Sequence, residues 1–280
     1  MRDIKGLKHW VAHLSQSDLP VLKQTARDLA ALRTDDKKLT VSAIAGVIAR
    51  DPMMSVKLLR YLQQHKRKVQ ITEVIQVEQA LLMLGVEPFF SNIAPQPLVE
   101  EMLKAHVAAL APVLRVVYRS HRASQYAQEW AVRLHDLHYE EVRIAALLHD
   151  ISEVLMWCFA PDAMLEIRAI QQQDKSLRSQ HVQQQVLGFG LVELQQELAL
   201  QWGLPKLLLS LMNDANHHQQ RERNVTLAIN LARHSANGWD DAALPDDYKD
   251  IGELLHIPAQ QVMEMIYIDA GTVRKPDQSH

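Results

Sequence analysis

Two adjacent ionisable residues, His149 and Asp150, lie in the middle of the apolar run at 145–157, Ala-Ala-Leu-Leu-His-Asp-Ile-Ser-Glu-Val-Leu-Met-Trp. A segment this apolar belongs in a protein interior. There an imidazole and a carboxylate each cost free energy unless they are paired, hydrogen-bonded or bound to a metal. The pair therefore poses a chemical choice. It either contributes to a metal centre that activates water, or it is part of a buried polar network. A metal centre needs at least three or four ligands converging on one point.

The surrounding elements must place the pair, and helical spacing pervades the chain. Leu22, Ala26, Leu29 and Leu32 follow an i, i+4, i+7 pattern. Thr40 is expected to cap a helix whose inner positions are Val41, Ile44, Ala45 and Ile48. Asp51-Pro52 starts the next, because proline fits a first turn. Thr72 is read as the cap of a helix carrying Val74, Val77, Ala80, Leu81 and Leu84, which Gly85 ends. From Glu100 to Leu134 the pattern is helical, with a break expected at Pro112. Residues 145–157 are expected to form one continuous helix, with Asp162 capping the one after it. Gly188-Phe189-Gly190 is a turn, 191–201 an amphipathic helix, and 202–205 a corner. Residues 213–224 are polar and read as a loop. No Asn-Gly or Asp-Gly hairpin lies between alternating runs. The chain is therefore expected to be all-α.

The chain has 280 residues, of which 48% are hydrophobic, enough to bury a sizeable core and too apolar for disorder. Thirty basic residues face 33 acidic ones, a net charge of −3. That balance gives no electrostatic reason to expect nucleic acid or an anionic membrane as partner. Lys66-Arg67-Lys68 reads as a solvated turn. Cys158 is the lone cysteine, so an internal disulfide is excluded and a reducing compartment fits. No apolar region follows Met1 to form a signal peptide, and no stretch suits a membrane span. A cytoplasmic location is expected.

Taken together, these segments resemble the HDOD family, an HD-related output domain of bacterial signalling proteins. The matching positions are Leu19-Pro20; the run from Val47 through Asp51-Pro52 to Arg60; Val77 to Gly85; Ala145 to Leu155; and Gly188 to Pro205, which ends in Trp202-Gly203-Leu204-Pro205. The similarity runs from Leu19 to about Ile266. It implies a multi-helical, HD-domain-like fold of two packed subdomains. These are expected at residues 1–108 and 109–270, with 271–280 a flexible tail.

The resemblance also implies where metal ligands would fall. In the related metal-dependent phosphohydrolases a histidine, a His-Asp pair and a later aspartate bind a divalent ion. His149 and Asp150 match the pair. His121 is the candidate for the first histidine, with Ser120 in the alternative register. One further histidine position falls on Leu191, which cannot bind a metal. A histidine pair falls near Ala215 and Asn216, with His217 and His218 two residues on. The final aspartate falls on Asn230 or Arg233, and no Asp or Glu occurs from Val225 to Trp239.

Two functions follow. With a full site, His121, His149, Asp150 and one of His217 or His218 would hold iron, manganese, nickel or magnesium, and the protein would hydrolyse nucleotides or phosphoesters. With an incomplete one, His149 and Asp150 form a buried network, Glu153 accepting the imidazole proton from four residues on. The chain would then be a non-enzymatic regulatory domain needing no cofactor. It would bind a partner protein or a small nucleotide signal. The ligand positions held by leucine and by asparagine or arginine favour the second. No other catalytic motif appears: Ser120 has no glycine elbow and no glycine-rich phosphate loop exists. No receiver, kinase or cyclase segment is recognisable, so input is expected from another polypeptide or a ligand.

Overall fold

The computed structural model describes residues 6–65, 75–174, 176–213 and 219–269. Six helices open the chain: α1 (Leu7–Gln16), α2 (Lys23–Arg33), α3 (Val41–Ile48), α4 (Pro52–Gln64), α5 (Val77–Leu84) and α6 (Val86–Asn92). A one-turn helix, α7 (Val99–Met102), precedes the long α8 (Val107–Arg133). Then come α9 (Tyr139–Leu148), α10 (Ile151–Phe159), α11 (Pro161–Gln173), α12 (Ser179–Leu187) and α13 (Leu191–Gln201). The last are α14 (Lys206–Leu211), α15 (Gln220–His234), α16 (Leu244–Leu255) and α17 (Ala259–Asp269). The protein is all-α. Among the described residues the only β pairing is an isolated bridge between Val21 and Leu98.

Local chemistry explains several boundaries. The Thr40 hydroxyl accepts from the Ala43 amide and caps α3. Asp51 caps α4 with Pro52 as first helical residue, and its Oδ1 accepts the Met53 and Met54 amides. Its other oxygen accepts the Leu22 amide and the Thr25 hydroxyl, so one buried carboxylate fastens the starts of α2 and α4. Gly85 joins α5 to α6 at φ 87°, a conformation that side chains rarely adopt.

Four expectations fail. Pro112 lies inside α8 without breaking it; the interruption comes earlier, at Leu103–His106. Pro112 is buried on the core face, so packing holds the helix through the missing hydrogen bond. Asp162 stands in the first turn of α11, not at its cap, and pairs with His106 at 3.1 Å. Residues 220–224 are the first turn of α15, since Glu222 and Asn224 point into the core rather than to water. Finally, the apolar run at 145–157 divides at His149-Asp150. Asp150, at φ −98° and ψ 22°, leaves helical geometry, and its carbonyl accepts the Val154 amide to begin α10.

Buried apolar side chains from Trp10 to Ile266 form one connected cluster. Within it α8 packs against α9, α10 and α15, and α15 also lies on α9. This four-helix neighbourhood surrounds the His149-Asp150 turn. Among the described residues no single helix is long and apolar enough to cross a membrane. The expectations at Lys66-Arg67-Lys68, Thr72, Val74, Ala215, Asn216 and 271–280 fall outside the described residues.

Candidate functional site

His149 and Asp150 are adjacent in space as well as in sequence, with the imidazole Nδ1 3.1 Å from Asp150 Oδ1. Both are nearly enclosed, their side chains 7% and 11% exposed. The other carboxylate oxygen faces Arg119 on α8, whose Nε and Nη2 donate to Oδ2 at 3.0 and 2.5 Å. The same Nη2 donates to Glu153 Oε2 at 2.8 Å. From α15, Arg233 Nη2 stands 3.6 Å from Asp150 Oδ1. The centre is thus two carboxylates gathered by one buried guanidinium, with an imidazole and a second arginine on the remaining oxygen.

The expected Glu153–His149 contact is replaced. In a continuous helix residues 149 and 153 would share a face. The turn at Asp150 separates them, and Glu153 takes Arg119 while His149 takes Asp150.

The electrostatics follow the geometry. Burial disfavours a charged Asp150, but the Arg119 guanidinium, the His149 hydrogen bond and Arg233 outweigh it and hold the carboxyl well below its usual range. Burial also opposes the charge on Arg119, yet Asp150 and Glu153 together push its pKa up. Asp150 is thus held as a carboxylate against the Arg119 guanidinium.

His121 is half-buried on α8. Burial and three cations, Arg50, Arg143 and Arg122, push its pKa down. Ser120, the alternative in that register, is buried. Leu191 is buried and apolar at the start of α13. Asn230 and Arg233 lie on α15, and Arg233 reaches Asp150. His217 and His218 fall outside the described residues. Among the described residues no group of three or more His, Cys, Asp or Glu side chains is placed to hold one ion.

The described residues around Asp150 do not fit a divalent metal. The Oδ2 lone pairs of Asp150 are directed at Arg119, and a second cation there would meet the guanidiniums of Arg119 and Arg233. Neither arginine can give up its proton.

Sequence reading missed Arg119, weighing only its neighbours Ser120 and His121 for a role in the site. A signal was present. Arg119 stands three residues after Val116 and four before Ala123, both buried on the core face of α8. A charge at such a position implies a buried partner of opposite sign. The pair of His234 Nδ1 with Asp247 Oδ2, at 2.6 Å between α15 and α16, was missed as well.

A polar cleft of about 430 Å³ opens between the α8–α9 connector and the start of α15. Its cation is already committed, since Arg221 forks both oxygens of Asp136 at 2.7 and 2.8 Å.

Residues 19–220 match the family model described as HDOD domain. No curated protein matches the chain. Among solved structures, the MmoQ response regulator from Methylococcus capsulatus str. Bath superposes with a TM-score of 0.65 at 18% identity, over 90% of this chain and 99% of its own. A virulence factor from Campylobacter jejuni subsp. jejuni gives 0.67 at 15% identity, over 96% of this chain and 91% of its own. An HDOD domain protein from Geobacter sulfurreducens gives 0.50 at 14% identity, over 95% and 94%. At these identities the likeness is one of fold.

Proposed function

The chain belongs to the HDOD domain family, and from that premise we propose that it is a non-enzymatic signalling or regulatory domain whose HD site has exchanged metal for arginine. The observation that carries this is the Arg119 guanidinium on Asp150 and Glu153. A hydrolase of the related type would use the aspartate to hold an ion that lowers the pKa of a bound water. Here the same carboxylate is neutralised by a fixed side chain that has no open coordination position to offer water or phosphate. The site keeps the fold together and has lost the Lewis acid.

On this reading the domain acts by binding. Its input is a partner protein or a small nucleotide, and its output is a change in what its surface contacts. The Methylococcus relative is a response regulator, which is consistent with such a role.

An activity assay tests the proposal. The full chain would be offered generic phosphoesters, nucleoside phosphates and cyclic dinucleotides with manganese, iron, nickel, cobalt or magnesium. No turnover above background is expected. Robust metal-dependent hydrolysis that vanishes in Asp150→Ala would overturn the reading and direct attention to His217 and His218.

A further inference from the structure

The corner at residues 202–205 turns the chain from α13 into α14, with Gly203 at φ 65° and Pro205 leading into the new helix. Between the two helices lies a cavity of about 230 Å³. Its apolar walls are Ala199 and Leu200 on one side and Leu209 and Met212 on the other. Its polar groups are three primary amides, those of Gln195, Gln196 and Asn213, and among the described residues no charged side chain lines it. Gln195 stands out. It shares the inner face of α13 with Leu191, Leu194 and Leu198 and is only 3% exposed. Among the described residues its amide has no hydrogen-bond partner. A buried amide in that condition costs free energy that an apolar side chain of the same size would not. The chain nevertheless keeps an amide there, and sets it against a cavity.

We infer that this cavity receives the base of a nucleotide, a purine with an exocyclic amine, whose edge the Gln195 amide reads. A primary amide sets an N–H donor beside a carbonyl acceptor. An aminopurine edge sets a ring-nitrogen acceptor beside an amine donor. The two match through a pair of hydrogen bonds, as glutamine matches adenine in nucleic-acid recognition. The walls suit the same ligand. A flat ring offers apolar faces to Leu200 and Leu209, and the small Ala199 leaves room for its thickness. The Met212 thioether makes favourable contacts with aromatic rings. With no charge in the lining, a neutral ring is accepted and a phosphate stays outside. The volume lies below the roughly 300 Å³ at which sites for larger ligands begin, so it holds one base and not a whole dinucleotide. This inference rests on the reading of the chain as a domain that takes a small nucleotide as its input, and it names the part of that nucleotide the chain recognises.

Calorimetric titration of the full chain with adenosine, in the presence of chelator, tests this. Adenosine has no phosphate ester, so the result is independent of any hydrolysis at His149 and Asp150. Saturable one-to-one binding is expected with Kd below about 1 mM. Inosine carries a carbonyl oxygen in place of the amine and should bind at least about tenfold more weakly. AMP and cyclic diadenylate should each displace adenosine, and their relative affinities identify which of them supplies the base. Gln195→Leu should bind adenosine at least about tenfold more weakly, while the free variant melts no lower than the parent because an unpartnered amide has been removed. Ala199→Leu fills the cavity with Gln195 intact and should lose adenosine as well. Absent adenosine binding, equal affinity for inosine, full affinity in both variants, or a lowered melting temperature in Gln195→Leu would overturn the inference. So would binding that is lost in Asp150→Ala and kept in Gln195→Leu, which would place the base at the other site. Failure of the regulatory reading is distinguishable from all of these, since it shows as metal-dependent hydrolysis in the activity assay.

Discussion

Arg119 and Asp150, thirty-one residues apart, meet through two guanidinium nitrogens on a single carboxylate oxygen, at 3.0 and 2.5 Å. This contact ties α8 to the junction of α9 and α10. It also spends the lone pairs a metal would need. Because the same nitrogen reaches Glu153, one side chain neutralises the nearly enclosed carboxylate of Asp150 and the half-buried one of Glu153.

Removing the guanidinium should therefore be costly. Arg119→Met leaves Glu153 without its cation and Asp150 with Arg233 alone, and breaking a buried pair from one side costs up to about 3–5 kcal/mol. Urea denaturation should show a loss of that order, with Arg119→Lys losing less because the charge survives. His149→Ala should cost less again, about 1–3 kcal/mol, since it strands one acceptor oxygen. A midpoint unchanged in Arg119→Met would mean that the pair contributes nothing.

Acid should expose the same interaction. The folded Asp150 carboxyl lies well below its usual range. Its contribution is therefore complete above the unfolded value of about 4 and is lost as pH falls through the folded value. Asp51 works in the opposite sense, because burial pushes its carboxyl up against the four hydrogen bonds it accepts. Comparison with Asp150→Asn separates the two. Wild type should lose its advantage over the variant below about pH 4. Parallel stability profiles for the two proteins would contradict this assignment.

The Asp51 junction is equally testable. Four donors converge on two oxygens: the amides of Leu22, Met53 and Met54 and the hydroxyl of Thr25. Asparagine keeps one acceptor and turns an amide group toward donors. Asp51→Asn should destabilise by about 1–3 kcal/mol, the cost of buried groups left unpaired, read by chemical denaturation. A neutral substitution would show that this carboxylate does not fasten α2 to α4.

Cys158 should be inert in the native protein. Burial, with Asp51 and Glu100 adding to it, pushes its thiol up to about 12, and the nucleophile is the thiolate. Disulfide-exchange reagents should label it at the rate of unfolding. Rapid stoichiometric labelling under native conditions would contradict its placement in the core.

Much of the fold was legible because it rests on local chemistry. Thr40, Asp51-Pro52 and Gly85 mark the boundaries at which the helices begin and end, and the helix expected over 191–201 is α13. Failures came where tertiary packing decides. Pro112 stays helical because the core holds both sides of it. The run at 145–157 gave no sign of its turn, since apolar residues on all sides leave no periodicity to interrupt. His149 and Asp150 were visible as types out of place, but their partners were not. Arg119 and Arg233 come from helices 31 and 83 residues away in sequence. Asp150 finds them through the packing of α8 and α15 rather than through any spacing along the chain.

The central claim is that arginine stands where the related hydrolases use a metal, and metal content tests it most directly. Protein purified without contact with a nickel column would be taken to elemental analysis, and melted with chelator and with added manganese. The account predicts well under one equivalent of any transition metal and the same melting temperature in both conditions. One tightly held equivalent that is absent from Asp150→Ala would contradict it.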